Sequence, residues 1–428
     1  MVKIGGLLLG LLLSIVVARL IGAEGIGIIN LSNRIVNISL LFGLFGIQNI
    51  IVRSVASSKK KQNYNSISNL IHTSVINNGT LTILISILLI SLSGAISNSF
   101  FNEPNLKIPL QIALSVMTFQ VISRIYSSGL VGLNKIWQSN LVDQALSIFV
   151  TLVLLSLLLA LNIEITVILV AIIYATSRLF VTLSIFLYWE NIFPYKAKKI
   201  QKSIQLFKSS FPLFVASIST TIINNIDLIV LGILSTSKEV GIYSVAAQIA
   251  MIPRTILLVV NSALSPKISG LFGTEQIEAL ESLIQRTIRI LVILSIGVLM
   301  VFLLGGKFIL SLWGNSFTDA YYVLVILGFG QAYNLATGPT GVTLVMCELD
   351  QIFRNNQMIM MTFSIISSIV FTYFWGIVGI ALAQALTIIL NNSIQIVIIK
   401  FKLGSLNFFY AKYVIKKLLR KIKKKVKI

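Results

Sequence analysis

The stretch from Ile226 to Pro253 reads IDLIVLGIL, then STSKE at Ser235–Glu239, then VGIYSVAAQIAMIP. An apolar run carrying one acid, Asp227, is followed by a short polar turn and a second apolar run. The chain says nearly the same thing once before. Gly25-Ile26-Gly27-Ile28-Ile29-Asn30-Leu31-Ser32-Asn33-Arg34-Ile35 lines up with Glu239-Val240-Gly241-Ile242-Tyr243-Ser244-Val245-Ala246-Ala247-Gln248-Ile249. The offset is 214 residues, half of the 428 in the chain. A hairpin of two apolar helices opening each half predicts a duplicated membrane bundle.

Composition bounds the class. The chain is 56% hydrophobic and 11% charged, with a mean hydropathy of +0.94. A soluble fold cannot hide that much apolar surface, so a polytopic membrane protein is expected. The single Cys347 excludes a disulfide framework or thiolate metal site. The single His72 argues against a histidine-based centre; a hydrogen bond into the bundle is its expected use. No Walker sequence and no metal-ligand spacing occurs, so neither ATP hydrolysis by that route nor a metal is expected. No cofactor and no enzymatic activity are expected.

A membrane helix needs roughly 20 apolar residues. Twelve such segments are read, at about 4–22, 26–51, 67–92, 107–131, 137–161, 164–189, 210–234, 240–264, 286–305, 320–346, 356–374 and 377–400. Each run is about twice a tilted barrel strand and does not alternate, so helices are expected. A signal peptide is the other reading of the first run. No clean small-x-small site follows Val17, and the opening hairpin recurs internally.

The net charge of +21 would suggest nucleic acid in a soluble protein. Here its location explains it without one. With both termini cytoplasmic, 26 Lys and Arg fall inside, including Arg53, Lys59–Lys61, Lys196, Lys198, Lys199, Lys202, Lys208 and eleven from Lys400 to Lys427. Arg19, Lys107, Lys238 and Lys307 fall outside. That is the positive-inside asymmetry of a multi-pass protein of the cytoplasmic membrane. The expected organisation is a six-helix lobe at 1–190, a basic cytoplasmic linker at 191–209, a second six-helix lobe at 210–400 and a basic tail at 401–428. The tail mixes Phe408, Phe409, Tyr413, Leu418, Leu419, Ile422 and Val426 with lysines. It reads either as an amphipathic helix on anionic lipids or as a plain positive-inside tail.

The repeat continues past the hairpin. Lys135-Ile136-Trp137-Gln138-Ser139-Asn140 resembles Gln351-Ile352-Phe353-Arg354-Asn355-Asn356 at offset 216, and Asn69-Leu70-Ile71 resembles Ser282-Leu283-Ile284 at offset 213. An even number of helices per copy keeps both copies in one orientation. Parallel repeats around a central cavity are therefore expected.

Four arginines stand inside apolar segments: Arg34, Arg124, Arg178 and Arg254. Each costs about 2.5–3.5 kcal/mol at a helix centre. Only Asp143 and Asp227 lie at comparable depth, so acids can neutralise at most half of them. The surplus must face water, backbone carbonyls or an anion. Capping of helix ends is one reading of any single arginine; a cationic cavity for a phosphate-bearing substrate is the reading for the set. Asp227 and Asp143 are each candidates for a proton or sodium coupling carboxylate, or for the partner of an arginine. Asn224, Asn225, Gln331, Asn334 and Gln384 could line a cavity or join helices. Pro253 beside Arg254, and Gly338-Pro339 with Gly341, mark expected breaks.

These residues carry a family resemblance. Ala18-Arg19-Leu20-Ile21-Gly22 with Glu24-Gly25-Ile26-Gly27 resembles the first hairpin of bacterial polysaccharide flippases, the O-antigen repeat-unit translocases of the multidrug/oligosaccharidyl-lipid/polysaccharide exporter superfamily. Asp227–Gly232 with Val240-Gly241-Ile242-Tyr243 resembles the central stretch. Gly129–Lys135, and Leu312-Trp313-Gly314-Asn315-Ser316-Phe317 with Ala320, extend the likeness along nearly the whole chain. It departs in starting almost inside the first helix, where members often carry a basic segment.

The resemblance implies a two-lobed flippase of twelve to fourteen helices with a cationic cavity. Such a protein moves an undecaprenyl-diphosphate-linked glycan between leaflets by alternating access, coupled to a proton or sodium gradient. On that reading the four arginines bind substrate and no residue is catalytic. The alternatives are a flippase for the lipid-linked peptidoglycan precursor, a cation-coupled drug exporter of the same superfamily, and a membrane glycan polymerase or ligase. A drug exporter should present acids to its cargo. A polymerase needs a large outer loop, and the longest here, near Gly305–Asp319, is short.

Overall fold

The computed structural model describes residues 2–195 and 203–403. The centre of the expected linker and almost all of the tail lie outside the described residues. The described chain is helical throughout. Its principal helices are α1 (Val2–Leu44), α2 (Ile47–Lys60), α3 (Tyr64–Ser91), α4 (Lys107–Ser115), α5 (Met117–Gly132), α6 (Ser147–Ala160), α7 (Val167–Ile192) and α8 (Ser203–Ile223). Then follow α9 (Ile226–Leu234), α10 (Ser237–Ala250), α11 (Ile252–Gly273), α12 (Ile277–Ser311), α13 (Tyr321–Thr337), α14 (Thr340–Met346) and α15 (Asp350–Leu403).

Each of the twelve apolar segments is helical apart from short breaks. Length and composition alone pick out seven described helices able to cross a membrane, or eight when the bent pair Leu213–Ile223 and Ile226–Leu234 is taken as one. The difference from twelve has a physical source. α1 and α15 run through two segments each, broken only at Gly22 (φ 71°) and Gly376 (φ 53°). Both glycines take the left-handed φ that side chains resist. Other segments are cut short by breaks, such as Gly338-Pro339 between α13 and α14. Lipid, not water, suits the outside: Leu304, Phe401 and Phe308 are all strongly exposed.

By contacts, the chain forms two compact units. The first comprises Met1–Val245, Leu310–Ala320 and Thr372–Ile377; the second comprises the remainder. The cut thus falls beyond the sequence repeat, and α9 with most of α10 joins the first unit. There, α5 packs on α3, α2 and α7. Close approach depends on missing side chains: a Cβ on Gly129 would strike Trp189, and one on Gly132 would strike Val55. Trp313 of the Leu312–Phe317 motif donates to Ser14 Oγ at 2.9 Å, and Arg19 Nε donates to Leu312 O at 2.8 Å.

The first unit also contains direct evidence of duplication. Asn30 Nδ2 donates to Ser244 Oγ at 2.8 Å, across a separation of 214 residues. A Cβ on Gly27 would land on the Ser237 carbonyl, and one on Gly241 would land on the Ala23 carbonyl. Ala23 and Ser237 are 214 apart, as are Gly27 and Gly241. Equivalent residues touching each other reciprocally is what a two-fold axis produces where it passes between two copies. The small-xxx-small spacing lets the two backbones cross in contact.

Candidate functional site

Three cavities in the first unit are strung along one face of α1. Ile21, Glu24, Gly25 and Ile28 line the first, of about 400 Å³, with Pro104, Pro109 and Thr166. Ile29, Ser32, Asn33, Val36 and Asn37 line the second, of about 260 Å³, with Gln120, Ser147, Tyr174 and Arg178. Asn37, Leu41 and Leu44 line the third, of about 310 Å³, with Gln48, Asn49, Arg124, Ser217, Thr221 and Asn225. The steps of three and four residues make this a single helical stripe. Neighbouring cavities share a wall: Pro109 between the first two, Asn37 between the second and third. Asn33 and Asn37 are exposed although they sit mid-helix. Amides facing hydrocarbon would be unsatisfied, so these cavities are polar spaces rather than lipid contacts.

Of the four arginines read from the sequence, three are gathered here. Arg178 on α7 lines the second cavity and Arg124 on α5 lines the third. Arg34, half-buried on α1, donates from Nη1 to the Asn224 carbonyl at 2.9 Å and to Asn225 Oδ1 at 3.0 Å. It caps the break between α8 and α9, where the chain bends by 49°. Carbonyls exposed by that break accept what a continuous helix would not. Arg34 thus caps a helix end, and it reaches the third cavity through Asn225. Arg254, in the first turn of α11, belongs to the second unit and is half-buried there.

Asp227 stands in the first turn of α9 and is 2% exposed. Tyr243 donates its hydroxyl to Oδ2 at 3.1 Å, while Oδ1 is buried without a hydrogen-bond partner. The hydrogen-bond partner of Asp227 is thus a tyrosine, one hairpin turn further along the quoted stretch. The backbone of Asp143 lies in a π-helical turn, Leu141–Leu146; its side chain is outside the described residues. His72 is exposed rather than turned into the bundle, because it falls on the outer face of α3.

The second unit holds a neutral counterpart. Asn392 Nδ2 donates to Asn334 Oδ1 at 3.1 Å, and the Thr340 hydroxyl lies 3.0 Å from Asn392 Oδ1 and 2.8 Å from Gln395 Oε1. Asn391 Oδ1 accepts from Asn356 Nδ2 at 2.8 Å and from Gln395 Nε2 at 3.0 Å. Asn334 thus serves helix joining, while Gln331 Oε1 accepts from Asn334 Nδ2 at 3.4 Å on the same helix. The network crosses the Gly338-Pro339 break, whose freed backbone needs such neighbours. Asn33, Asn37 and Gln120 were not singled out by sequence. Their signal was present in the i, i+4 spacing of Asn33 and Asn37 on a stripe with Ser32.

Bent and broken helices thus surround polar cavities, and comparison with known proteins places the chain in a family. The polysaccharide biosynthesis protein family matches residues 1–272, so the chain belongs to that family. The MatE family matches residues 212–374. A curated relative, described as the probable low-salt glycan biosynthesis flippase Agl15 of Haloferax volcanii, is 25% identical over 198 residues. That match covers 46% of this chain and 42% of the relative, so the chain spans less than half the length of the curated protein it matches.

Solved structures share the fold at low identity. An inward-facing multidrug resistance MATE family transporter of the MOP superfamily aligns with a TM-score of 0.77 and 15% identity, covering 95% of this chain and 96% of that one. The lipid II flippase MurJ aligns with a TM-score of 0.72 and 17% identity, covering 93% and 86%. The chain is an all-helical, multi-pass membrane protein with the fold of that superfamily.

Proposed function

We propose that the protein is a flippase for surface polysaccharide synthesis. It carries an undecaprenyl-diphosphate-linked oligosaccharide repeat unit across the cytoplasmic membrane by alternating access, with both termini in the cytoplasm. The observation that carries this reading is the set of adjoining polar cavities along α1 with Arg124 and Arg178 in their walls. A guanidinium at membrane depth is retained where an anion needs it. The family match and the glycan-flippase relative support the same cargo class. Arg34 and Arg254 are likewise assigned to substrate binding. Asp227, buried with Oδ1 unpartnered, is assigned to ion coupling, as is Asp143. The basic tail is assigned to anionic lipid.

Likeness in fold to the lipid II flippase keeps the peptidoglycan precursor as a second reading. Drug export fits less well, since arginines repel cationic cargo. One experiment separates them. Lipid-linked glycans are extracted from a deletion strain, identified by mass spectrometry and assigned to a leaflet with an impermeant glycan-modifying reagent. An intact repeat unit held on the inner leaflet, and released on restoring the gene, is the expected result. Trapped peptidoglycan precursor transfers the protein to the second reading. Unchanged glycans with altered drug sensitivity leave the exporter.

A further inference from the structure

We infer that the end of the first unit where α2 turns into α3 binds an anionic phospholipid, with Lys60 and Lys61 on its phosphate and Trp137 against its acyl chains. The site is separate from the cavities along α1. Its assignment to the inner leaflet rests on the orientation proposed above; its contacts do not depend on the cargo.

The argument begins with a stripe. Trp137, Leu141, Phe149, Val153 and Leu157 are all exposed, and they step by four or eight residues along the chain into α6. Steps of four keep to one side of a helix, so this side looks out on lipid. At 1.5 Å per residue, the positions from Trp137 to Leu157 span about 30 Å, the thickness of the hydrocarbon core. Trp137, 62% exposed, therefore stands at one edge of the bilayer. There an indole lies against acyl chains and turns its N–H to the headgroups.

Lysines reach the same edge, and two of them are built into it. Lys59 Nζ, at the end of α2, donates to the Leu133 carbonyl at 2.9 Å, four residues before Trp137. Lys135 Nζ donates to the Tyr188 hydroxyl at 3.4 Å and lies 5.6 Å from the centre of that ring. Gln138 Nε2 donates to the same hydroxyl at 3.3 Å. The turn after α5 is thereby tied to α2 on one side and to α7 on the other. Lys60 and Lys61 follow Lys59 in the chain and are exposed beside this frame. Asp143 and Glu190 are the acids nearest in sequence, and four lysines outnumber them. Ammonium groups held at the level of a lipid-facing tryptophan meet a phosphate of the anionic leaflet.

The second repeat supplies the control. At offset 213, Phe272-Gly273-Thr274-Glu275 stands where the first copy has Lys59-Lys60-Lys61-Gln62. Gln62 and Glu275 share a left-handed φ, 53° and 57°. The same turn is thus built once without lysines and with an acid in place of an amide. The lysines are no requirement of the turn, and they occur where a tryptophan marks the bilayer edge.

The test uses the full-length protein in detergent, titrated with phosphatidylglycerol or phosphatidylcholine, with bound lipid counted by native mass spectrometry. The first phosphatidylglycerol should bind about tenfold more tightly than phosphatidylcholine. Lys60→Gln with Lys61→Gln should remove that preference and leave phosphatidylcholine binding unchanged. Trp137→Ala should weaken both lipids alike. Lys400→Gln with Lys402→Gln removes the same charge from exposed positions at the end of α15 and should leave the preference intact. Equal binding of the two lipids to the wild-type protein overturns the site. So does a preference that survives the loss of Lys60 and Lys61. A preference lowered as much by the Lys400 and Lys402 pair also overturns it, because net charge and not this patch then governs binding. Unchanged binding of both lipids to Trp137→Ala overturns the acyl contact. None of these outcomes bears on the flippase reading, which stands or falls on the trapped glycan.

Discussion

Arg178 on α7 and Asn392 on α15 stand 214 residues apart at matching places in the two halves. One lines a cavity; the other is 5% exposed and tied to Asn334 and Thr340. Arg124 likewise meets Thr337–Thr340 in the second half, and Arg34 meets Ala247–Ala250 with Gln248 at its centre. Duplication supplied the backbone plan twice, and at these three positions the arginine stands only in the first copy. Where the second copy needs polar contacts, it closes them on itself with amides. A closed amide network braces helices, while Arg178 stands in the wall of a polar cavity.

The comparison breaks most severely where the two copies touch. Gly27→Val or Gly241→Val drives a side chain into a backbone carbonyl, which has no rotamer to escape into. Overpacking of this kind costs about 1–3 kcal/mol, and more against backbone. The expected outcome is loss of the monodisperse peak in size-exclusion chromatography of detergent extracts. Gly297→Val, with no atom within 4 Å of an added Cβ, should leave it intact. A normal peak for both Gly27→Val and Gly241→Val would remove the two-fold crossing.

Next in size are matched removals in the two halves. Arg124→Gln takes a charged donor from a cavity, where hydrogen bonds to charged groups contribute about 1.5–3 kcal/mol. Affinity for a polyprenyl diphosphate should fall about ten- to a hundredfold with little change in thermal stability. Asn392→Leu should do the reverse. It leaves Asn334 Oδ1 without its donor, a loss of about 1–3 kcal/mol of stability, and affinity stays as it was. Equal effects of both variants on affinity, measured by titration in nanodiscs, would erase the division of labour between halves.

How far the sequence revealed this follows from the same division. The hairpin at Ile226–Pro253 and its echo at Gly25–Ile35 were legible because repetition at 214 survives substitution. Arginines at depth were legible because each is expensive in lipid and stands out in apolar runs. Their partners were not. Arg34 bonds the carbonyl at the Asn224 break, and a carbonyl carries no side-chain signature. Asp227 bonds Tyr243, sixteen residues on, through a turn whose geometry composition does not specify. The merging of segments across Gly22 and Gly376 depends on backbone torsions at single glycines among the chain's 27. His72 failed for a related reason: helix phase, not residue type, decides which way a polar side chain faces.

The smallest expected effect sharpens the comparison at the pair that gave the reading its start. Asp227 and Tyr243 match Leu13 and Ile29 in the first repeat. Those two are buried and apolar, at 4% exposure each. Tyr243→Phe removes the hydroxyl from a carboxyl whose other oxygen already has no partner, so neither oxygen is then bonded. A loss of about 1–3 kcal/mol is expected in thermal unfolding. Changing both residues to the first repeat's pair, Asp227→Leu with Tyr243→Ile, removes the need along with the donor. Apolar replacement of both partners is often nearly neutral, so the double variant should be more stable than Tyr243→Phe alone. If its stability returns while gradient-driven transport in proteoliposomes stops, the polar pair serves coupling. A double variant as unstable as the single one would mean that the two hairpins, alike in sequence, are not equivalent where they carry their buried charge.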